Sequence, residues 1–123
     1  MYKFIILFLG LCLPFFAVSC SNRSPESVTE KYMSAIYSED VEAFKDVIIQ
    51  ARADQDQAFI EVSIRSLKQD LTNRYGKEWI RSAEYTELSM DDDIVTVQVR
   101  INKDENSIKV QLIKEGDQWK VQY

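Results

Sequence analysis

The sequence has no histidine, and its only two cysteines are Cys12 and Cys20. Without histidine a Ser-His or Cys-His nucleophile is impossible, and zinc sites of the usual imidazole and thiolate kind lack their ligands. Positive charge is also in short supply, since 15 basic residues stand against 20 acidic ones for a net charge of −5. That sign makes nucleic acid and anionic lipid surfaces poor partners. No run of apolar residues reaches the ~20 needed to span a bilayer. Internal repeats and low-complexity stretches are absent as well.

What is present begins with a leader. Lys3 supplies one positive charge, Phe4 to Phe16 form an apolar run broken by Gly10 and Pro14, and Ala17, Val18 and Ser19 are small residues that lead to Cys20. This three-zone order is that of a cleaved export signal, and the polar stretch Ser21, Asn22, Arg23, Ser24, Pro25 marks the processing boundary. Cys12 leaves with the leader, so no disulfide can form within the mature chain.

Ala17, Val18, Ser19 and Cys20 resemble the lipobox of bacterial lipoproteins, in which small residues precede a cysteine that is acylated and becomes the new N-terminus. The resemblance implies a palmitate-type lipid on Cys20 and a protein tethered to a membrane, because each buried methylene contributes about 0.8 kcal/mol. Ala17 stands where leucine is usual in that box. Ala17 and Ser19 equally suit ordinary signal peptidase, which would release a soluble domain carrying one unpaired thiol. The expected organisation is a signal peptide over 1–19, a lipidated tether over 20–24 and one domain over 25–123. With Lys3 removed, 14 basic and 20 acidic residues leave the mature chain at −6.

Ser24 and Pro25 give a helix start, with a capping hydroxyl followed by proline at the first helical position. Val28, Tyr32, Ala35 and Ile36 then recur at helical spacing. Asp40 can cap a second helix with the apolar face Val41, Phe44, Val47 and Ile48. After a polar break near Asp54 to Gln57, a longer third helix is expected to bury Phe59 or Ile60, Val62, Ile64, Leu67, Leu71 and Tyr75, and to stop at Gly76. From Trp79 the period changes to two. A strand from about Trp79 to Met90 has muddled alternation that predicts a bulge. Ile94 to Ile101 alternates cleanly, with Val95, Val97, Val99 and Ile101 inward. Ser107 to Lys114 follows, with Ile108, Val110 and Leu112 inward, and a turn at Glu115, Gly116, Asp117 leads to a last strand with Trp119, Val121 and Tyr123 inward.

Helices first and an antiparallel meander afterwards predict an α+β domain, with the helices on one face of the sheet. The Ser24 to Glu26 start and the Gly116 to Val121 close resemble those of small uncharacterised Bacteroidetes-type lipoproteins with a nuclear-transport-factor-2-like (cystatin-like) domain. That resemblance implies a curved sheet with a pocket between it and the helices. The superfamily holds lyases, isomerases and non-enzymatic binding modules alike, so fold alone does not choose among them.

The inward positions from Val95 to Tyr123 offer no base, which leaves Glu84 and Glu87 as candidate carboxylates and Tyr32, Tyr37 and Tyr85 as candidate donors. The simpler reading is that the glutamates are solvated and the tyrosines wall the core. Tyr32, Trp79, Tyr85 and Trp119 are the residues expected to line a pocket. Asp54 and Asp56 invite a calcium loop, but Phe59 occupies its glycine position and Arg65 its closing glutamate. Asp91, Asp92 and Asp93 read as a turn. Arg65, Lys68, Arg74 and Lys77 complement the dipole of the third helix. No catalytic residue, metal or cofactor is therefore expected.

These features favour a non-catalytic ligand- or protein-binding module of the bacterial envelope, tethered by its lipid. The alternative is a lyase or isomerase acting on a small apolar substrate. Ser21 after the anchor, and the lack of an acidic run over Ser21 to Ser27, favour the outer membrane and its periplasmic face. The outward sheet residues Thr96, Gln98, Arg100, Lys109, Gln111, Gln118, Lys120 and Gln122 are polar, interrupted by Ile94 and Ile113. An obligate dimer through that face would need it apolar. Mass-resolved sizing of the mature chain is expected to return a monomer or a weak, concentration-dependent dimer, and a tight dimer would overturn this reading.

Overall fold

The computed structural model describes residues 24–123. The expected signal peptide, Cys20 and the tether as far as Arg23 lie outside the described residues. Helix α1, Pro25–Ser38, starts as its sequence dictates, with Ser24 Oγ accepting the Ser27 N–H at 3.1 Å and Pro25 at the head of the helix. Its buried residues are Val28, Thr29, Tyr32, Met33, Ala35 and Ile36 along with Pro25, a broad stripe covered from more than one side. Thr29, the one buried polar side chain among the described residues, donates to Pro25 O at 2.8 Å and so carries no unmet hydrogen bond. The helix stops at Glu39, which takes a left-handed φ of 55° and lets the Asp40 N–H close back on Ala35 O at 2.9 Å.

Asp40 then caps helix α2, Val41–Val47, by accepting the Ala43 N–H at 3.1 Å. Ile48 leaves the helix instead of extending it, and forms a parallel bridge to Val121. A four-residue helix α3, Gln50–Ala53, follows with no buried residue. Periodicity could not reveal so short an element. Helix α4, Gln57–Tyr75, buries Ile60, Ile64 and Leu71, with Leu67 and Tyr75 packed beside them. Phe59 and Val62 do not belong to that stripe, being 51% and 58% exposed. The reason is angular: Ile60, Ile64, Leu67, Leu71 and Tyr75 follow steps of three and four, whereas Val62 lies two residues, or about 200°, from Ile60.

The predicted strand from Trp79 is corrected at its start. Trp79–Ser82 forms a 3-10 turn that drives the Trp79 ring fully into the core, edge-on to Tyr37 at 5.4 Å, and the strand begins only at Glu84. Strands β1, Glu84–Asp91, β2, Ile94–Arg100, β3, Ile108–Glu115, and β4, Gln118–Val121, form one antiparallel sheet in the order β1-β2-β3-β4. The expected bulge is present, since the β1–β2 register shifts between Glu87 and Ser89 and leaves Leu88 unmatched. Val95 faces Leu112, and Val97 faces Val110, so cross-strand pairs build the buried face.

The domain is therefore α+β with helices on a four-stranded antiparallel sheet. One contiguous core runs from Val28 to Val121 and joins residues of α1, α2, α4, the 3-10 turn and β2 to β4. Full burial of one large aliphatic or aromatic side chain is worth about 1.5–3 kcal/mol. Phe44 is fully buried, stacked on Tyr32 at 5.3 Å and edge-on to Tyr123 at 5.3 Å. Phe44→Ala is expected to cost about 3–5 kcal/mol and Asp40→Ala about 1 kcal/mol, measured by urea denaturation. A smaller loss for Phe44→Ala than for Asp40→Ala would refute the docking of α2.

Candidate functional site

Because α1 crosses the sheet while α4 packs on α1, the two helices and the β3–β4 edge leave a hollow between them. Its volume is about 330 Å³. Met33 and Ile36 of α1 and Val110 and Val121 of the sheet form its buried floor, and Leu67 and Leu71 of α4 form a wall. The rim is polar, with Asp70 and Arg74 on one side and Lys109, Gln111 and Gln122 on the other. Asp70 is the only carboxylate side chain lining the hollow, and it is exposed. An apolar interior with a few polar groups at the mouth is the usual construction of a small-molecule site.

Tyr32 closes one end. Its ring belongs to the Tyr32–Phe44–Tyr123 stack, and Arg52 sits 5.7 Å above the Tyr123 ring. Burial raises the Tyr32 phenol well above the ordinary tyrosine range, and Tyr123 adds to the rise. Tyr32 thus presents a neutral hydroxyl at any physiological pH.

Of the other residues expected to line a pocket, Trp79 is fully buried in the core, with its indole N–H lacking a hydrogen-bond partner. Tyr85 lies on β1 opposite Val99, away from the hollow. Its phenol is pushed up to about 12, first by burial and then by the charge of Glu30. Trp119 sits near the β3–β4 turn, opposite Lys114, whose ammonium lies 5.2 Å from the ring centre. Only Tyr32 of the four borders the hollow.

The candidate carboxylates are also elsewhere. Glu84 is exposed opposite Arg100, and Glu87 is half-buried opposite Val97 with its backbone N–H donating to Glu26 Oε2 at 3.1 Å. Tyr37 packs on Trp79 beneath the Lys68 ammonium, 5.6 Å from its ring centre. Asp54 accepts from Gln50 Nε2 at 2.7 Å at the end of α3, and Asp56 leads into α4. Asp92 and Asp93 form the β1–β2 turn that Asp91 enters. Among the described residues no group of three or more acidic or thiol side chains could hold a metal ion.

Sequence reasoning missed Leu67, Leu71, Asp70 and Arg74 as pocket residues, although the apolar pair was visible on the helix stripe. It also missed a polar junction around Asn102. Ser82 Oγ donates to Asn102 Oδ1 at 2.6 Å and accepts the Asn102 N–H at 3.1 Å, while Asn102 Nδ2 donates to Tyr75 O at 3.1 Å. Asn102 and Lys103 carry φ values of 55° and 58°, a conformation that asparagine tolerates better than most residues. Tyr75 adds a hydroxyl bond to Asp104 Oδ2 at 3.1 Å. This junction fixes the C-terminal end of α4, and with it the Leu71 and Arg74 side of the hollow.

The family model of a domain of unknown function, DUF4878, matches residues 18–122. No curated protein and no solved structure matches the chain.

The raised phenols have a measurable consequence. A group whose pKa is higher in the folded state stabilises fully below its unfolded value of 10.0, and that contribution disappears as pH rises through the folded value. For Tyr85 the window therefore runs from about 10 to about 12. Tyr85→Phe is expected to lose less stability than the parent between pH 9 and pH ~11.5, as read by denaturant midpoints at each pH. Equal losses in the two proteins would show that the Tyr85 phenol is not desolvated.

Proposed function

The chain belongs to the DUF4878 family, and from that premise we propose that it is a lipoprotein whose signal peptide over residues 1–19 is removed and whose Cys20 carries the lipid. Its domain is a nuclear-transport-factor-2-like (cystatin-like) module, tethered to the periplasmic face of the outer membrane, that binds a small apolar ligand without transforming it. The observation that carries the ligand reading is the hollow of about 330 Å³ with Met33, Ile36, Leu67, Leu71 and Val110 on its surface. In favour of binding over catalysis, the acid that a lyase or isomerase would need has no counterpart in the hollow except exposed Asp70. A carboxylate open to water lacks the burial that tunes a catalytic base.

The tether reading is supported by the export-type leader and by the small residues before Cys20. Among the described residues no helix is long and apolar enough to cross a membrane.

Two substitutions test the parts separately. Cys20→Ser is expected to abolish metabolic labelling by a palmitate analogue and to move the protein out of the membrane fraction; unchanged labelling would refute the anchor. Leu67→Trp is expected to fill the hollow and weaken binding of an apolar fluorescent dye by about tenfold or more, equivalent to about 1.4 kcal/mol. Unaltered dye binding by a folded Leu67→Trp protein would remove the hollow as the ligand site.

A further inference from the structure

We propose that the β1 edge around Leu88 and Met90 rests on the surface of the bilayer that holds the anchor, so that the domain is oriented by a second contact as well as tethered. This inference rests on the lipidation of Cys20. Among the described residues, five large hydrophobic side chains are exposed, and three of them, Leu88 at 45%, Met90 at 56% and Ile94 at 43%, belong to the β1–β2 hairpin. Leu88 and Met90 lie on the edge strand; Ile94, opposite Asp91 across the turn, is on the other sheet face from Met90, which pairs with Val95, and takes no part in the contact. Leu88 is also the bulge residue, which pairing does not hold to the sheet.

The anchor brings that edge to the membrane. Cys20 precedes Ser24 by four residues, and a chain reaches at most about 3.5 Å per residue, so Ser24 is held within about 14 Å of the lipid-bearing residue. Ser24 in turn caps α1, whose first turn is joined to β1 by the Glu26 Oε2 bond to the Glu87 N–H at 3.1 Å. Leu88 is the next residue. The same short span of chain that fixes Ser24 near the bilayer therefore fixes Leu88 and Met90 near it.

The other two exposed hydrophobics, Phe59 and Val62, lie away from this edge. Lys68 of α4 meets Glu39, just past the C-terminal end of α1, at 3.1 Å, and Phe59 lies further back toward the start of α4. They serve as an internal control.

Charge sets the character of the contact. Asp91, Asp92 and Asp93 follow Met90 directly, and Glu26 and Glu87 lie beside Leu88. Carboxylates repel an anionic surface, so the surface that suits this edge is a zwitterionic one such as phosphatidylethanolamine. Apolar side chains flanked by acids would reach the headgroup level and no deeper.

The test uses the mature chain from Cys20 onward, lipidated on Cys20 and reconstituted into phosphatidylethanolamine–phosphatidylcholine vesicles. Met90→Cys and, separately, Phe59→Cys are labelled with a polarity-sensitive fluorophore, the lipidated Cys20 being closed to the thiol reagent. Lipids carrying a shallow nitroxide quencher are expected to quench the label at position 90 at least twofold more than the label at 59. Adding anionic phosphatidylglycerol is expected to reduce that difference. Equal quenching at the two positions on vesicles that retain the protein would overturn the contact and leave the anchor intact. Failure of the protein to float with the vesicles would overturn anchor and contact together. Quenching-independent changes at position 90 that scale with protein concentration would assign the edge to a second copy of the chain and refute the bilayer reading.

Discussion

The burial of α1 on several sides is the constraint on which the rest of the domain depends. Tyr32 faces Phe44 of α2, while Met33 and Ile36 face the floor of the hollow beside Val110 and Val121. Glu26 at its first turn reaches the backbone of β1. A helix held in this way cannot rotate without unpacking both the sheet and the helices outside it, since side chains in a close-packed interior have no room to slide. The stop at Glu39 is part of the same constraint. A residue with a left-handed φ ends α1 where Asp40 must begin α2, and that places Phe44 on Tyr32.

The hollow follows from this arrangement. A strand edge normally closes when its neighbour runs alongside it, but β4 pairs β3 only from Leu112 to Glu115, and Gln122 adds one further bond to Gln111 O at 2.8 Å. Beyond that point the edge of β3 at Ile108 to Val110 has no strand beside it. Antiparallel alternation turns the Lys109 N–H and C=O to the same side as those of Gln111, toward the open edge. α4 stands off from this edge because the Asn102 junction fixes its C-terminal end at the β2–β3 loop. The result is a space roofed by helix and open at one side.

Much of the fold was legible from the sequence because alternation and capping are local properties. Val95, Val97 and Val99 announce their own strand, and Ser24 and Asp40 announce their own helices. The failures lie where distant partners decide. Trp79 reads as the start of a strand until Tyr37, more than forty residues earlier in the chain, draws it into the core as a 3-10 turn. Ile48 reads as the last turn of a helix until Val121 claims it. The site was less legible than the fold. Tyr32 borders the hollow, but Leu67, Leu71, Asp70 and Arg74 became neighbours of Val110 only through the packing of α4 on α1, which periodicity does not specify. Trp119 shares the inward parity of β4 but lies near the turn, past the end of the hollow.

The bridge between Ile48 and Val121, with the Ile49 N–H bonded to Val121 O at 3.0 Å, has a consequence in time. It joins the segment between the first helices to the last strand, and Lys120 Nζ strengthens the union by donating to Asp46 O at 2.6 Å. A growing chain can form α1 and α2 early, since helices close within themselves, but the seat of Ile48 does not exist until β4 has been made. Closure of a loop that long is slow compared with helix formation. Completion of the core around Ile48 therefore waits on β4, although α1 and α2 lie some seventy residues or more before it.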